Sequence, residues 1–371
     1  MDRVFSRFAI MRLTLSLCAV SIFFTAPRAD ASCGSVTCFV VIGSQQQANP
    51  VGLLTVNAIY NYTRQGTLLP GTNGIIPAVD VDNRQLILDH HREVRTLTQT
   101  YSLDFNYGLT ERLGLELMLP YVRRRHQHID GLGEVNDGTG QQTSFSDNGI
   151  GDVFINLKYN ALPTLRSMIV SSFGVYIPTG DWRQKTAGAS GDAETMEPTA
   201  QIGRGQVGLQ GGIYQTYELI PHRLNQFASA TYRHTFRNNF GYQFGDQYDL
   251  NIGLNLVTVP WLVLTNQFNY RYMVHDSFSS SLARSQTPND STFPGEAIGI
   301  DPNITNRAVP TTGSTFLAYS PGALVSIGER TQVYFFSQIP VVRDFNNNLA
   351  QGISFVFGIT QYFQGPALFK G

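Results

Sequence analysis

Residues 51–363 of this chain repeat one unit, a run of about a dozen residues that alternates apolar and polar side chains and ends in a turn. Alternation with a period of two places the apolar side chains of a strand on one face and the polar ones on the other. These runs are longer than the roughly 5–6 residues of an average soluble strand. They match the roughly 9–11 residues with which a tilted strand crosses a bilayer. The pattern therefore predicts membrane strands with lipid on one face and water on the other.

The connections between these runs are alternately short and long. The tight ones lie at residues 110–111, 162–164, 219–222, 259–260 and 328–330. Short turns at one end and longer loops at the other are typical of a chain that weaves up and down through an outer membrane. Such a sheet must close on itself, because lipid offers no partner to an unpaired strand edge. We therefore predict an all-β, transmembrane, antiparallel up-and-down β-barrel of about 12 strands.

The predicted strands are residues 52–64, 94–109, 112–126, 149–161, 165–180, 205–218, 223–237, 243–258, 261–275, 313–327, 331–343 and 349–363. An even number of strands places both ends of the barrel sequence on the periplasmic side.

The N-terminal residues have the pattern of a secretory signal. Basic residues precede an apolar stretch at residues 13–26, and Ala29-Asp30-Ala31 offers a cleavage site, so we expect residues 1–31 to be a signal peptide. Residues 32–50 are then expected to form a periplasmic segment, residues 51–363 the outer-membrane barrel and residues 364–371 a C-terminal extension. Cys33 and Cys38 are expected to form a disulfide in that oxidising compartment. Two idle thiols are the alternative.

Composition excludes several classes of function. The formal net charge is −1 and no basic run occurs, which argues against nucleic-acid binding. We also expect no enzymatic activity. His275-Asp276-Ser277 has the spacing of a base and a nucleophile on one strand face, but no acyl-transfer motif such as G-x-S-x-G accompanies it.

Charged residues on the polar faces of the strands are candidates for lining the lumen. They are Asp104, Glu116, Asp152, Lys158, Asp249 and Arg271. We predict that Asp104 pairs with Glu116 across the hairpin that turns at residues 110–111. Such charges could form a selectivity filter, or they could pair into a structural plug, because a barrel of this size has a narrow interior.

Four histidines cluster in the two arms of that same hairpin. In the predicted register, His90, His126 and His128 share the lumen face near the outer rim. Imidazoles suit zinc or copper, so these three residues are a candidate metal site. Glu93 could join it only if a β-bulge shifted the register. The alternative is a polar rim that contacts the loops or the phosphates of lipopolysaccharide.

Two segments carry a family resemblance. The run Phe-Ser-Asp-Asn-Gly-Ile-Gly-Asp at residues 145–152, followed by Lys158-Tyr159, resembles a "GxGD…KY" strand of a family of outer-membrane barrels. Residues 174–181 resemble the next strand of that family, which ends in "PTGD". The family is described as transporters associated with a MetA pathway of phenol degradation. The resemblance implies a barrel and a transport function.

Together these observations predict a channel or transporter for small solutes in the bacterial outer membrane that works by passive diffusion and needs no cofactor. Its expected partners are outer-membrane lipid, lipopolysaccharide, a small-molecule solute and the barrel assembly machinery during biogenesis. The alternative is a non-conducting structural or binding barrel whose outer rim binds metal or lipopolysaccharide.

Overall fold

The computed structural model describes residues 39–82, 85–130, 142–187, 193–278, 284–286, 308–309 and 311–365. Cys33 and Cys38 lie outside these residues, and so do residues 1–31 of the expected signal peptide. Among the described residues, no helix has the length and apolar character needed to cross a bilayer. A single helical turn, α1, covers Gly43–Gln46.

Nearly all of the regular structure is strand. In chain order the strands are β1 Leu53–Thr67, β2 Ile75–Asp80, β3 Gln85–Gly108, β4 Leu113–Asp130, β5 Gln142–Ile150, β6 Val153–Asn160, β7 Ser167–Ile177, β8 Lys185–Ala187, β9 Ala193–Thr195, β10 Gly208–Ile220, β11 Leu224–Thr235, β12 Tyr242–Gln243, β13 Gln247–Val259, β14 Leu262–Met273, β15 Ser277–Phe278, β16 Arg284–Gln286, β17 Ser314–Ile327, β18 Thr331–Asp344, β19 Ala350–Gln351 and β20 Ser354–Gln364.

The long strands form a closed antiparallel barrel of 12 strands, as the sequence predicts. Closure is made by β1, which pairs with β20 on one side and with β3 on the other. β5 and β6 both pair with β4 and together form one barrel strand, interrupted at Gly151 and Asp152. The short strands β2, β8, β9, β12, β15 and β16 lie in the connections at the end of the barrel with long loops, which we call the loop end. We call the opposite end the turn end.

The barrel has its apolar side chains outside and its polar side chains inside. Leu103, Ile252 and Phe357 keep 46%, 58% and 47% of their surface exposed on the outer wall. Asn57 and Asn269, on the inner wall, are completely buried. A soluble protein would bury the first group. This inversion matches a wall that faces lipid.

The register of the β3–β4 hairpin differs from the prediction. Asp104 lies opposite Met118, and Glu116 lies opposite Asn106. The reason is the turn, which is longer than a two-residue turn at 110–111 because β3 ends at Gly108. Inside it, the Thr110 hydroxyl accepts hydrogen bonds from the backbone N–H of residues 112 and 113. The pairing moves by two residues, so even-numbered residues still face the lumen.

A β-bulge interrupts β3 near the loop end. Glu93 pairs with His128 and Arg95 with Gln127, so Val94 is the extra residue. At this point β3 exchanges its neighbour β1 for β2, and the Glu93 N–H donates to the Gly74 carbonyl at 2.9 Å. One inserted residue reverses the faces of a strand. Accordingly Thr96 is buried below the bulge, whereas His91 and Glu93 are buried above it.

Residues 39–50 lie inside the barrel. Pro50 precedes β1 at the turn end, and the segment runs along the lumen to Phe39, whose ring packs against Phe316 near the start of β17. The prediction that residues 32–50 form a periplasmic segment is therefore wrong for residues 39–50. The polar inner wall supplies the hydrogen bonds that an extended segment without a sheet partner requires.

Candidate functional site

The segment of residues 39–50, which we call the lumen segment, is held by side chains from several barrel strands. The Val41 N–H donates to Gln267 Oε1 at 2.9 Å, and Gln267 Nε2 donates to the Val41 carbonyl at 3.2 Å. Gln45 donates to Asp104 Oδ2 at 3.2 Å, and its carbonyl accepts a hydrogen bond from the Lys158 ammonium. Asn49 Nδ2 donates to the Asn106 carbonyl at 2.7 Å. The segment is therefore anchored along its length.

Two cavities contact the lumen segment. The first, which we call the charged cavity, has a volume of about 370 Å³ and is lined by residues of the segment and by ionic side chains of the wall. The second, at the turn end, has a volume of about 360 Å³ and is lined by Pro50, Glu218, His222 and Arg223 among others. Val41 contributes to both linings. The lumen segment therefore lies between the two cavities.

The candidate lumen residues fall in and around the charged cavity. Its lining includes Glu116, Asp152, Lys158, Asp249 and Arg271. Asp104 lies behind the lumen segment and is completely buried, and its Oδ2 also accepts a hydrogen bond from Asn57 Nδ2 at 2.8 Å.

Most of these charges are paired. Lys158 Nζ lies 3.1 Å from Glu116 Oε2, which also accepts a hydrogen bond from Asn156 Nδ2 at 2.8 Å. Arg271 donates from Nε and Nη2 to the two carboxylate oxygens of Asp249, at 2.6 and 3.4 Å. The Arg271 guanidinium also lies 3.8 Å from the centre of the Phe39 ring. Pairing of this kind lowers the cost of burying charge in a narrow lumen.

Asp152, in the lining of this cavity, holds two connections, the one between β7 and β8 and the one between β9 and β10. Its carboxylate accepts hydrogen bonds from the Gly180 N–H at 3.1 Å and from the Arg204 N–H at 3.0 Å. The glycine and the carboxylate belong to the two motifs that carry the family resemblance. The structure therefore shows them acting together, as a junction between a barrel strand and an inward-packed loop.

Three arginines in the cavity lining lie outside the sequence-based set. They are Arg124, Arg204 and Arg233. Arg233 could have been found from strand alternation, because it lies on β11 two residues from the lumen-facing Thr231. Arg204 lies in the connection between β9 and β10, where strand alternation gives no signal. Burial, together with the nearby Arg233, lowers the pKa of Arg204 to about 9.

Arg124 has a structural role in holding that loop. Its Nη1 donates to the carbonyls of Thr199, Ala200 and Gln201, at 3.3, 2.7 and 3.0 Å. One guanidinium thus ties residues 199–201 to the wall at β4. The neighbouring Arg123 and Arg125 are exposed on the other face.

The histidine cluster at the loop end is also present, with a different third member. His91, His126 and His128 offer ligand atoms that all lie within 4.8 Å of one another. The bulge at Val94 turns the side chain of His91 toward the cluster. The side chain of His90, which the sequence suggested, is outside the described side chains.

The described parts of the long loop at 276–312 pack against other loop residues at the loop end. Phe278 and Val309 form an apolar cluster with Val79, Tyr242 and Phe244. Asp276 is buried beside it and accepts hydrogen bonds from Tyr242 Oη at 2.5 Å and from the Gly245 N–H at 2.7 Å. These residues cover the loop end.

The fold is that of solved outer-membrane barrels. The outer-membrane channel COG4313 from Pseudomonas putida F1 superposes with a TM-score of 0.55 at 12% identity, over 88% of this chain and 100% of that one. The transport unit of the autotransporter AIDA-I from Escherichia coli gives 0.47 at 8% identity, over 88% and 93%. A mutant of the monoaromatic hydrocarbon channel TodX gives 0.44 at 12% identity, over 91% and 98%.

No curated protein sequence matches the chain closely enough to count as a relative. A family model does match. The apolar outer wall and the polar lumen are those of a barrel that spans a membrane. Residues 86–305, more than half of the chain, match the family described as "Putative MetA-pathway of phenol degradation", and the chain belongs to that family.

Proposed function

We propose that this protein is a passive outer-membrane channel for small solutes, with a preference for anions. The observation that carries the proposal is the pair of cavities inside a polar barrel, both of which are lined by Val41. A structural barrel of this size could fill its interior with side chains alone. Here the interior is filled in part by a separate segment, whose hydrogen bonds to wall side chains are distinct from the strand pairing that closes the barrel.

The charge of the cavity supports an anion preference. Its lining includes five cationic side chains, Arg124, Lys158, Arg204, Arg233 and Arg271, and three carboxylates, Glu116, Asp152 and Asp249. Excess positive charge in a confined, low-dielectric space concentrates anions. The net charge of the whole chain is −1, so the positive excess is a local feature.

Aromatic rings in the same lining suggest a class of solute. Phe154 stacks on Tyr176 with ring centroids 4.3 Å apart, and the Arg233 guanidinium lies 3.5 Å from the centre of the Tyr176 ring. A flat ring with a carboxylate would find both an aromatic surface and a cation in this cavity. The family description refers to phenol degradation, which agrees with small aromatic compounds as cargo.

Conductance in planar bilayers tests the proposal. The wild-type barrel should give discrete channels whose reversal potential in a salt gradient indicates anion preference. Under bi-ionic conditions, benzoate should carry measurable current relative to chloride. A folded protein without conductance would eliminate the channel and favour the alternative, a binding or structural barrel. That alternative draws support from the ion pairs and the anchored lumen segment.

The proposal includes no catalytic step. In the tripeptide His275-Asp276-Ser277, the central carboxylate is buried and bonded to Tyr242 and Gly245. This supports a structural role for the tripeptide at the base of its loop. Lipopolysaccharide and the barrel assembly machinery remain expected partners on general grounds for a protein of the outer membrane.

A further inference from the structure

We propose that His91, His126 and His128, together with the carboxylate of Glu93, bind one divalent transition-metal ion of the zinc and copper class at the loop end of the lumen. This inference is independent of transport, because it concerns a site that could be occupied whether or not the barrel conducts.

The first support is the spacing of the ligand atoms. The imidazole ligand atoms of the three histidines lie within 4.8 Å of one another, and His126 Nε2 is 3.0 Å from His128 Nδ1. In a tetrahedral zinc site with bonds of about 2.0–2.1 Å, ligand atoms are about 3.3 Å apart. The cluster therefore needs only side-chain rotation to close around an ion.

The second support is the way the fold assembles the cluster. His126 and His128 are two residues apart on β4 and share its lumen face. The bulge at Val94 turns the side chains of His91 and Glu93 on β3 to the lumen face as well, where they face His126 and His128. Without the extra residue these two side chains would lie on the outer face of β3. The bulge thus adds one imidazole and one carboxylate to the pair on β4.

The third support is the charge around the imidazoles. Glu93 Oε1 lies 3.4 Å from His91 Nε2, and Glu93 Oε2 lies 3.5 Å from His126 Nε2. Glu197, from the loop before β10, places Oε1 3.7 Å from His91 Nε2. Two carboxylates can neutralise a divalent ion. Arg124 lies on the same strand face, and its positive charge would repel a bound cation. Its Nη1, however, is directed away to the loop carbonyls.

The fourth support is a hydrogen bond that orients one imidazole of the cluster and comes from a residue outside it. Thr96 Oγ1 lies 2.8 Å from His126 Nδ1. A hydrogen bond at one ring nitrogen fixes the ring and leaves the other, Nε2, for a metal, as in known zinc sites. His126 Nε2 is the atom that faces both Glu93 and His128.

The donor set selects the class of metal. Calcium and magnesium prefer oxygen ligands, whereas three imidazoles and a carboxylate suit zinc or copper. The competing explanation is a metal-free network of histidines and glutamates that holds the loop before β10. A bound ion would link β3, β4 and, through Glu197, that loop, and so would stabilise the loop end.

Isothermal titration with zinc tests the proposal on the folded, chelator-treated barrel in detergent. We expect one zinc per chain in the wild type and a loss of affinity of about 100-fold or more in the double variant His126→Ala/His128→Ala. Two histidine variants serve as controls. His90→Ala removes the third histidine that the sequence suggested, and His234→Ala removes an imidazole on β11 that is bonded to Asp246. Both should bind zinc as the wild type does.

The proposal is overturned if the folded wild type binds neither zinc nor copper, or if the double variant binds as tightly as the wild type. Should the double variant fail to fold, the absorption spectrum of the wild-type barrel with cobalt(II) decides. Intense d–d bands of a four-coordinate ion support the site, and the weak bands of hexa-aqua cobalt reject it.

Discussion

The side-chain amide of Gln267, on β14, holds the backbone of Val41 by two hydrogen bonds, from the Val41 N–H to Oε1 and from Nε2 to the Val41 carbonyl. A glutamine on the wall thus pairs with the lumen segment as a neighbouring strand would. Because Val41 borders both cavities, this contact lies where the passage between them would open.

Replacing Gln267 with alanine should increase conductance. Each lost hydrogen bond contributes about 0.5–1.5 kcal/mol, so the lumen segment should leave its position more often. Single-channel recording should show a larger or more frequently open state. Asn266→Ala is the matched control, because that amide lies on the outer face and bonds Tyr319 instead. Equal recordings for the two variants would argue against gating by the lumen segment.

Removing the Lys158 ammonium should destabilise the barrel. The change Lys158→Ala leaves the buried carboxylates of Glu116 and Asp104 without their nearest cation, at a cost of about 3–5 kcal/mol. Urea unfolding in detergent, followed by the tryptophan signal, measures the loss. The double variant Lys158→Met/Glu116→Gln should recover part of the lost stability, because it also removes the unpaired charge of Glu116. Lys185→Ala, in the short strand β8 outside the barrel wall, should be neutral.

The loop end should lose stability as pH rises. Burial raises the pKa of Asp276 above its ordinary value, while Tyr242, Arg204 and His275 are the titratable or charged groups that interact with it. A raised pKa in the folded state means that this contribution is fully present below the unfolded carboxyl pKa and is lost as pH increases through the folded pKa.

Hydrogen exchange provides the measurement for this pH effect. The N–H of Gly245, which donates to Asp276, should exchange faster relative to intrinsic rates as pH rises through that window. In Asp276→Asn the protection should be independent of pH over the same range. The same pH dependence in both proteins would assign the effect to another group.

Loss of Arg233 should reduce anion preference. This guanidinium lines the charged cavity and stacks on Tyr176, so Arg233→Ala removes a cation from the cavity. The reversal potential in a salt gradient should move toward that of a non-selective channel. Arg125→Ala, which removes a cation from the outer face, should leave it unchanged. An unchanged potential in Arg233→Ala would contradict the proposed selectivity.

Alternation predicted the barrel well because lipid and water impose it on every strand. All 12 barrel strands occur close to their predicted positions, and the inner faces of β3 below the bulge and of β4 are those predicted. Prediction was weaker at the ends. The strand at residues 94–109 was expected to begin at 94, but β3 begins at Gln85. Its first residues pair with β2 beyond the membrane, where no lipid imposes alternation.

The histidine cluster shows the limit of pattern reasoning. His126 and His128 follow from alternation on β4 alone. The third imidazole depends on a single extra residue, Val94, which leaves no mark in the sequence pattern and yet reverses the faces of His91 and Glu93. Glu197 reaches the cluster from a loop, where no periodic pattern applies.

The sequence by itself determined that this chain crosses a membrane as a closed barrel, because long strands that alternate apolar and polar side chains present one face to lipid and the other to a watery lumen. The tertiary structure decided what lies inside. The lumen segment has no period and no sheet partner, so its place depends on polar groups such as Gln267, Asp104 and Lys158, which lie on three different strands far apart in the sequence and line one lumen only once the barrel has closed.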